Sequence, residues 1–213
     1  QDYINAAERC YKAGIDGVEL HGAHGYMLNQ FISPLTNKRT DEYGGSTENR
    51  ARVVKEIIEG IRARVGRDYP VMFRISADEF LRESMFPFSE DGLLLDEAVE
   101  ICKYLVPFGL DAINVSAGIY ETMNQAWEPI SFAEGWKIYL AEAVKKAVDV
   151  PVFGVGVIRN PEFAEQIIAE GRVDGVTIAR GLLADPDWVN KAAAGQVDDI
   201  RRCISCLNCM DSM

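Results

Sequence analysis

Five short apolar runs, each followed by a polar loop and then by a stretch with helical spacing, confine this chain to a parallel α/β sheet. The runs are Gly17–Leu20, Tyr69–Ser76, Asp111–Val115, Val150–Val155 and Val173–Ile178. Helices are predicted over 2–13, from the Ser46-Thr-Glu-Asn49 cap to Gly66, over 91–106 and 136–148, from Pro161 to Gly171, and over 186–195. Val54, Ile57, Ile58, Ile61 and Val65 make one buried stripe, and Leu94, Leu95, Ala98, Ile101, Cys102 and Leu105 another. The connections 21–46, 77–90 and 116–133 all follow strands and are long, which is where function is expected. Tyr120, Met123 and Trp127 in the last of them suit the lining of a ligand pocket.

Parallel strands of this number make either a doubly wound sheet or part of a barrel. His21, Arg74, Ser116, Gly156 and Arg180 all fall at the C-terminal ends of strands, where a barrel concentrates its chemistry. No Gly-x-Gly-x-x-Gly follows the first strand, so the dinucleotide-binding doubly wound sheet loses its main support. The expected fold is therefore a (β/α)8 TIM barrel of which about five C-terminal βα units are present, the chain being a fragment. Residues 1–200 are expected to form that part of the barrel and 201–213 to begin a different segment. Isolated, such an arc leaves strand edges open, which favours self-association.

The formal charge of −11 argues against nucleic acid and anionic membrane as partners and for a small ligand. Val150 to Ile158, the longest apolar run, is too short to span a bilayer, and no secretion signal is visible in these residues. Gln1 in place of Met fits a truncated or processed chain. Cys10 and Cys102 sit singly in helical patterns and read as buried thiols. Cys203, Cys206 and Cys209, crowded into seven residues, read as a metal or cluster site in a reducing cytoplasm.

Both histidines of the chain lie in His21-Gly-Ala-His24-Gly-Tyr26, directly after the first strand. His-x-x-His alone is a weak metal signal. Two imidazole donors aimed at one oxygen, with a phenol beside them, would instead polarise a carbonyl while the tyrosine delivers a proton. Val155-Gly156 and Ile178-Ala179-Arg180-Gly181 have the glycines and the arginine of a phosphate grip, although an ordinary glycine turn with an arginine paired to a surface acid would look the same. Arg74 facing a barrel interior demands a negative charge nearby.

His21-Gly-Ala-His24-Gly-Tyr26, Leu28-Asn-Gln-Phe31, Asn37-Lys-Arg-Thr-Asp-Glu-Tyr-Gly-Gly-Ser46 and Glu48-Asn-Arg50 together closely resemble the signature of the Old Yellow Enzyme family of FMN-dependent ene-reductases. The resemblance continues through Arg74, Gly156 and Arg180. Arg202-Cys-Ile-Ser-Cys-Leu-Asn-Cys209 resembles its iron–sulfur subfamily, which includes 2,4-dienoyl-CoA reductase, enoate reductases and trimethylamine dehydrogenase. The resemblance implies that His21 and His24 hold the substrate oxygen and that Tyr26 protonates Cα. It implies that Arg74 lies against the flavin pyrimidine edge and that Gly156, Ala179 and Arg180 hold the FMN phosphate. Cys203, Cys206 and Cys209 would supply three ligands of a 4Fe–4S cluster, with no fourth cysteine before Met213. The activity, fed by NAD(P)H through a second flavin (FAD), would belong to the full-length parent. An amine dehydrogenase of the same family and a non-catalytic, self-associating fragment are the alternatives.

Overall fold

A computed structural model describes residues 1–84, 88 and 92–211. In chain order the elements are α1 (Asp2–Lys12), β1 (Val18–Gly22), α2 (Met27–Ile32), α3 (Thr47–Val65), β2 (Val71–Ser76), α4 (Leu95–Leu105) and β3 (Ala112–Ser116). Then come α5 (Met123–Trp127), α6 (Ile138–Lys145), β4 (Val152–Gly154), α7 (Pro161–Ala169), β5 (Gly175–Val176), α8 (Arg180–Ala184), α9 (Trp188–Ala193) and α10 (Asn208–Asp211). The strands pair in parallel in the order β1-β2-β3-β4-β5, so each βα unit lies beside the one before it.

Alternation along the strands separates two faces. Val71, Phe73, Ile75, Ile113, Val115 and Val152 are buried in the main core, on the side covered by the helices. Gly154 belongs to that side, because a Cβ there would meet Ile138 and Ala141 of α6. The opposite face is polar. His21, Arg74, Asn114, Phe153 and Gly175 form one continuous row across all five strands, each pairing with the next. Charged and amide side chains on the concave face of a parallel sheet put the site inside the arc.

The helices follow from local chemistry. The Ser46 hydroxyl accepts the Asn49 amide at the start of α3, and Gly66, at φ 85°, ends it. Val54, Ile57, Ile58 and Ile61 are buried as their spacing predicts. Two carboxylates repeat one device at the strand entrances: Asp111 accepts the Val71 amide at 2.8 Å, and Asp174 the Val152 amide at 2.8 Å.

Several boundaries differ from expectation. The connection 21–46 contains α2, whose Leu28 and Ile32 are fully buried; a helix of six residues is too short to announce itself by periodicity. Loop 116–133 likewise holds a 3-10 turn over Tyr120–Thr122 and then α5. The helix expected over 91–106 begins at Leu95 after an extended Leu94, and residue 91 lies outside the described residues, as do 85–87 and 89–90 of loop 77–90. α6 is shorter than 136–148, α9 shorter than 186–195, and β5 spans only Gly175–Val176 of the run 173–178. Cys102 is fully buried and its thiol is pushed up to about 12 by that burial, whereas Cys10 is only half-buried. No helix among the described residues is long and apolar enough to cross a membrane.

Arg50 pins the long first connection. Its guanidinium, nearly buried, donates to Ile32 O, Gly45 O and Glu97 Oε1, each at 2.7 Å, tying α2, the 33–46 segment and α4 to α3. Arg50→Ala strands two carbonyls and unpairs Glu97, and is expected to cost about 3 kcal/mol in a urea titration. Arg52→Ala, whose guanidinium is exposed where it meets Glu42 O, should change the midpoint little.

Candidate active site

His21, the penultimate residue of β1, sits opposite Arg74 in the sheet. The chain then turns sharply: His24 and Gly25 have φ of 62° and 78°, and the Tyr26 amide donates back to Ala23 O at 3.3 Å. Positive φ at both central positions is the mark of a type I′ turn. The turn brings the His24 ring to 5.2 Å and the Tyr26 ring to 5.3 Å from the His21 ring, centroid to centroid. The His24 amide donates to Ser76 Oγ at 3.0 Å, and its Nε2 lies 2.8 Å from Ser116 Oγ. The ends of β2 and β3 therefore hold His24 in place, and Nδ1 is the ring nitrogen left for a ligand.

Both imidazoles are kept neutral. Burial, with the Arg74 charge added, lowers the His21 pKa; for His24 the same causes, reinforced by His21 and Lys137, push it down to about 3. A neutral imidazole offers one N–H donor, so the pair can present two donors to one oxygen.

A cavity of about 230 Å³ opens beside His24 and is lined by Arg74, Trp127, Glu128, Arg159, Ala179 and Arg180 among others. A side pocket of about 120 Å³ shares His24, Ala126 and Trp127 with it and adds Tyr26, Ile119, Tyr120 and Met123. Tyr120, Met123 and Trp127, the three residues of loop 116–133 expected to line a ligand, line this side pocket. Tyr120 lies edge-on to Tyr26 at 5.7 Å, and its hydrogen bond to that tyrosine raises its own pKa.

His24, Arg74, Ala179 and Arg180 thus line one cavity, Tyr26 lines the side pocket that shares His24 with it, and His21 packs against the rings of His24 and Tyr26. Gly156 does not line it. At φ 145° it packs against the Lys137 stem, which a Cβ would strike at 2.9 Å. Arg180 is engaged by the protein: it donates to Trp127 O, Glu128 O and Glu128 Oε2 at 3.1, 2.8 and 2.8 Å. Glu128 is buried and also holds Lys137 Nζ at 2.5 Å. Sequence reasoning missed Glu128, Lys137 and Arg159, because isolated charges in loops and at helix starts look like solvated surface.

The negative charge anticipated near Arg74 comes from Glu19 and Glu128, which oppose the lowering of its pKa by burial without neutralising it by contact. Arg74 Nε is buried with no hydrogen-bond partner, and so is Arg159 Nε. Three arginines face one carboxylate in this cavity, in a chain of net charge −11. Two orphaned guanidinium donors in a positively charged cavity fit a bound anion such as FMN. Arg74 would hold the ring system and the residues around Arg159 and Ala179 the phosphate.

Cys203, Cys206 and Cys209 do not gather as expected. Cys203 lines the cavity and Cys206 is exposed, the intervening chain twisting through Ser205 and Leu207 at φ 53° and 62°. Among the described residues no three His, Cys, Asp or Glu side chains are grouped to hold a metal ion.

The arc forms five C-terminal βα units of a (β/α)8 barrel, and its likenesses are to barrel oxidoreductases. The chain belongs to the NADH:flavin oxidoreductase / NADH oxidase family, which residues 1–199 match. It is 53% identical over 206 residues to an NADH oxidase of Thermoanaerobacter brockii, covering 97% of this chain and 30% of that protein. Its structure resembles a 2-naphthoyl-CoA reductase in complex with 2-naphthoyl-CoA, with a TM-score of 0.89 and 34% identity over 97% of this chain and 30% of the other. It also resembles histamine dehydrogenase from Rhizobium sp. 4-9, with a TM-score of 0.86 and 34% identity over 98% of this chain and 29% of the other. The chain thus spans about a third or less of the length of these relatives.

Keeping His24 neutral has a signature in acid. The unfolded chain takes up a proton near pH 6.5 and the folded chain only near pH 3, so the penalty builds as pH falls between those values and is absent above them. The slope is about 1 kcal/mol per pH unit. Urea midpoints measured from pH 7 to pH 4 should fall less steeply for His24→Gln than for the unaltered chain.

Proposed function

We propose that this chain carries the substrate site of an FMN-dependent ene-reductase acting on an α,β-unsaturated acid, ketone or thioester. One observation carries the reading: two neutral imidazoles and a phenol share a mouth with an arginine that lacks a hydrogen-bond partner at Nε. FMN reduced by NAD(P)H, when bound, would supply a hydride for Cβ. His21 and His24 hold the substrate's carbonyl or carboxylate oxygen through their N–H groups, which draws electron density away from Cβ. Tyr26, exposed at the rim beside His21, gives the proton to Cα. Arg74 offers positive charge at the flavin's pyrimidine edge. Trp127 and the side-pocket residues Tyr120 and Met123 exclude water and shape the substrate's far end.

The likeness to 2-naphthoyl-CoA reductase supports an acyl thioester or related conjugated acyl group. The likeness to histamine dehydrogenase supports a second reading, amine oxidation. Two convergent N–H donors match an acceptor with two lone pairs, and so favour the oxygen. In the longer protein NAD(P)H is the reductant and an FAD-bearing module its entry point. We infer from the spacing of Cys203, Cys206 and Cys209 that 201–213 begins a 4Fe–4S segment, although the three thiols stand apart here.

Tyr26→Phe in the full-length protein separates the half-reactions. Stopped-flow traces should show substrate reduction slowed by about 10²-fold or more, with flavin reduction by NAD(P)H unchanged. Equal loss in both contradicts the role given to Tyr26. Turnover of an alkylamine in place of an enoate would establish the amine reading.

A further inference from the structure

We propose that Glu79, acting through Asn29, is the positioning residue for the turn at His24 and Gly25, and that it holds the imidazole and the Tyr26 phenol toward one mouth. The inference rests on the reading of those two side chains as the groups that meet substrate.

The turn is not one the chain adopts freely. His24 carries a Cβ in the left-handed region, which is uncommon for any residue but glycine, though histidine visits it more often than most, as asparagine and aspartate do. Something must keep it there. The Gly25 amide, between the two site residues, donates to Asn29 Oδ1 at 2.6 Å, and Gln30 Nε2 donates to Gly25 O at 2.8 Å. Asn29 is fully buried, and its amide serves only in one orientation: flipped, its NH2 would face the Gly25 N–H donor to donor. Glu79 sets that orientation. Its Oε1 accepts Asn29 Nδ2 at 3.0 Å, and an ionised carboxylate can only accept.

Glu79 is itself fully buried, at 0% exposure, and its Oε2 accepts Ser33 Oγ at 2.8 Å and the Leu93 amide at 2.9 Å. All three of these donors are neutral. Thr122 Oγ1 donates to Glu79 O at 2.7 Å, so the same residue also secures the turn that carries Tyr120 over Gly25. A carboxylate buried among neutral donors is a costly choice for stability alone, where an apolar residue would serve better. Two of its contacts, through Asn29 and to Thr122, reach the two turns beside the side pocket, while Ser33 and Leu93 hold the carboxylate itself.

The chain contains only two histidines, so proton NMR titration of their ring resonances reads the turn directly. In the unaltered chain the His24 pKa, with His21, Arg74 and Lys137 facing the ring, is pushed down to about 3; burial raises the Glu79 pKa, so the variants are compared with the unaltered chain on the side of that titration where Glu79 is ionised. Glu79→Gln and Asn29→Leu should release the turn, so that His24 titrates above about pH 5, toward the ordinary value of about 6.5. Ser33→Ala removes one donor from the same carboxylate but spares the Asn29–Gly25 link, and should leave His24 neutral. Folded Glu79→Gln and Asn29→Leu chains in which His24 stays neutral at pH 5 overturn the proposal. So does a Ser33→Ala chain that moves His24 as far as Glu79→Gln. Should both altering variants fail to fold, hydrogen exchange in the unaltered chain decides: a protected Gly25 amide supports the link to Asn29, and an unprotected one removes it. Because these measurements report geometry and Tyr26→Phe reports turnover, either reading can fail alone.

Discussion

Parallel pairing with a two-residue side-chain period is the constraint on which the rest depends. It sends Phe73, Ile75, Ile113 and Val115 into the helical layer, and so obliges their neighbours His21, Arg74 and Asn114 to share the concave side. Shifting β2 by a residue would put Arg74 into the apolar core and Phe73 on the concave side. The register that makes the core is therefore the register that assembles the site.

That coupling explains the electrostatics. The strand ends bury His24, Ser76 taking its backbone amide and Ser116 its Nε2, and that burial, with the Arg74 charge, keeps the ring neutral. An imidazolium there would add to a charge cluster already short of anions. Under the proposed reading, neutral donors on one wall would meet a carbonyl oxygen and cations on the other a full negative charge.

The alternation of strands and helices was legible because burial in a parallel sheet writes near-continuous apolar runs, and Val54, Ile57, Ile58 and Ile61 repeat at helical spacing. The His24 and Tyr26 cluster was legible because both histidines of the chain stand together. α2 was not, since six residues show less than two turns of pattern and Leu28 and Ile32 are buried by tertiary contacts. Nor could sequence reveal that Arg180 is already satisfied by Glu128, fifty-two positions away, or that Lys137 fills the space beside Gly156. The role of Glu79 was hidden for the same reason: its partners come from α2, from Leu93 and from the turn at Thr122, and only folding brings them together.

The buried carboxylate at 128 acts as a resident counterion. Because it already engages both Lys137 and Arg180, any dianion that docks beside Ala179 enters a contest, and its net affinity is the difference between two pairings. A neutral ligand terminating in a hydroxyl has nothing to offer in that exchange and leaves the guanidinium where it is. Discrimination between a phosphorylated ring system and its dephosphorylated form would then arise from displacement within the protein, and the loop bearing Trp127 would register the swap.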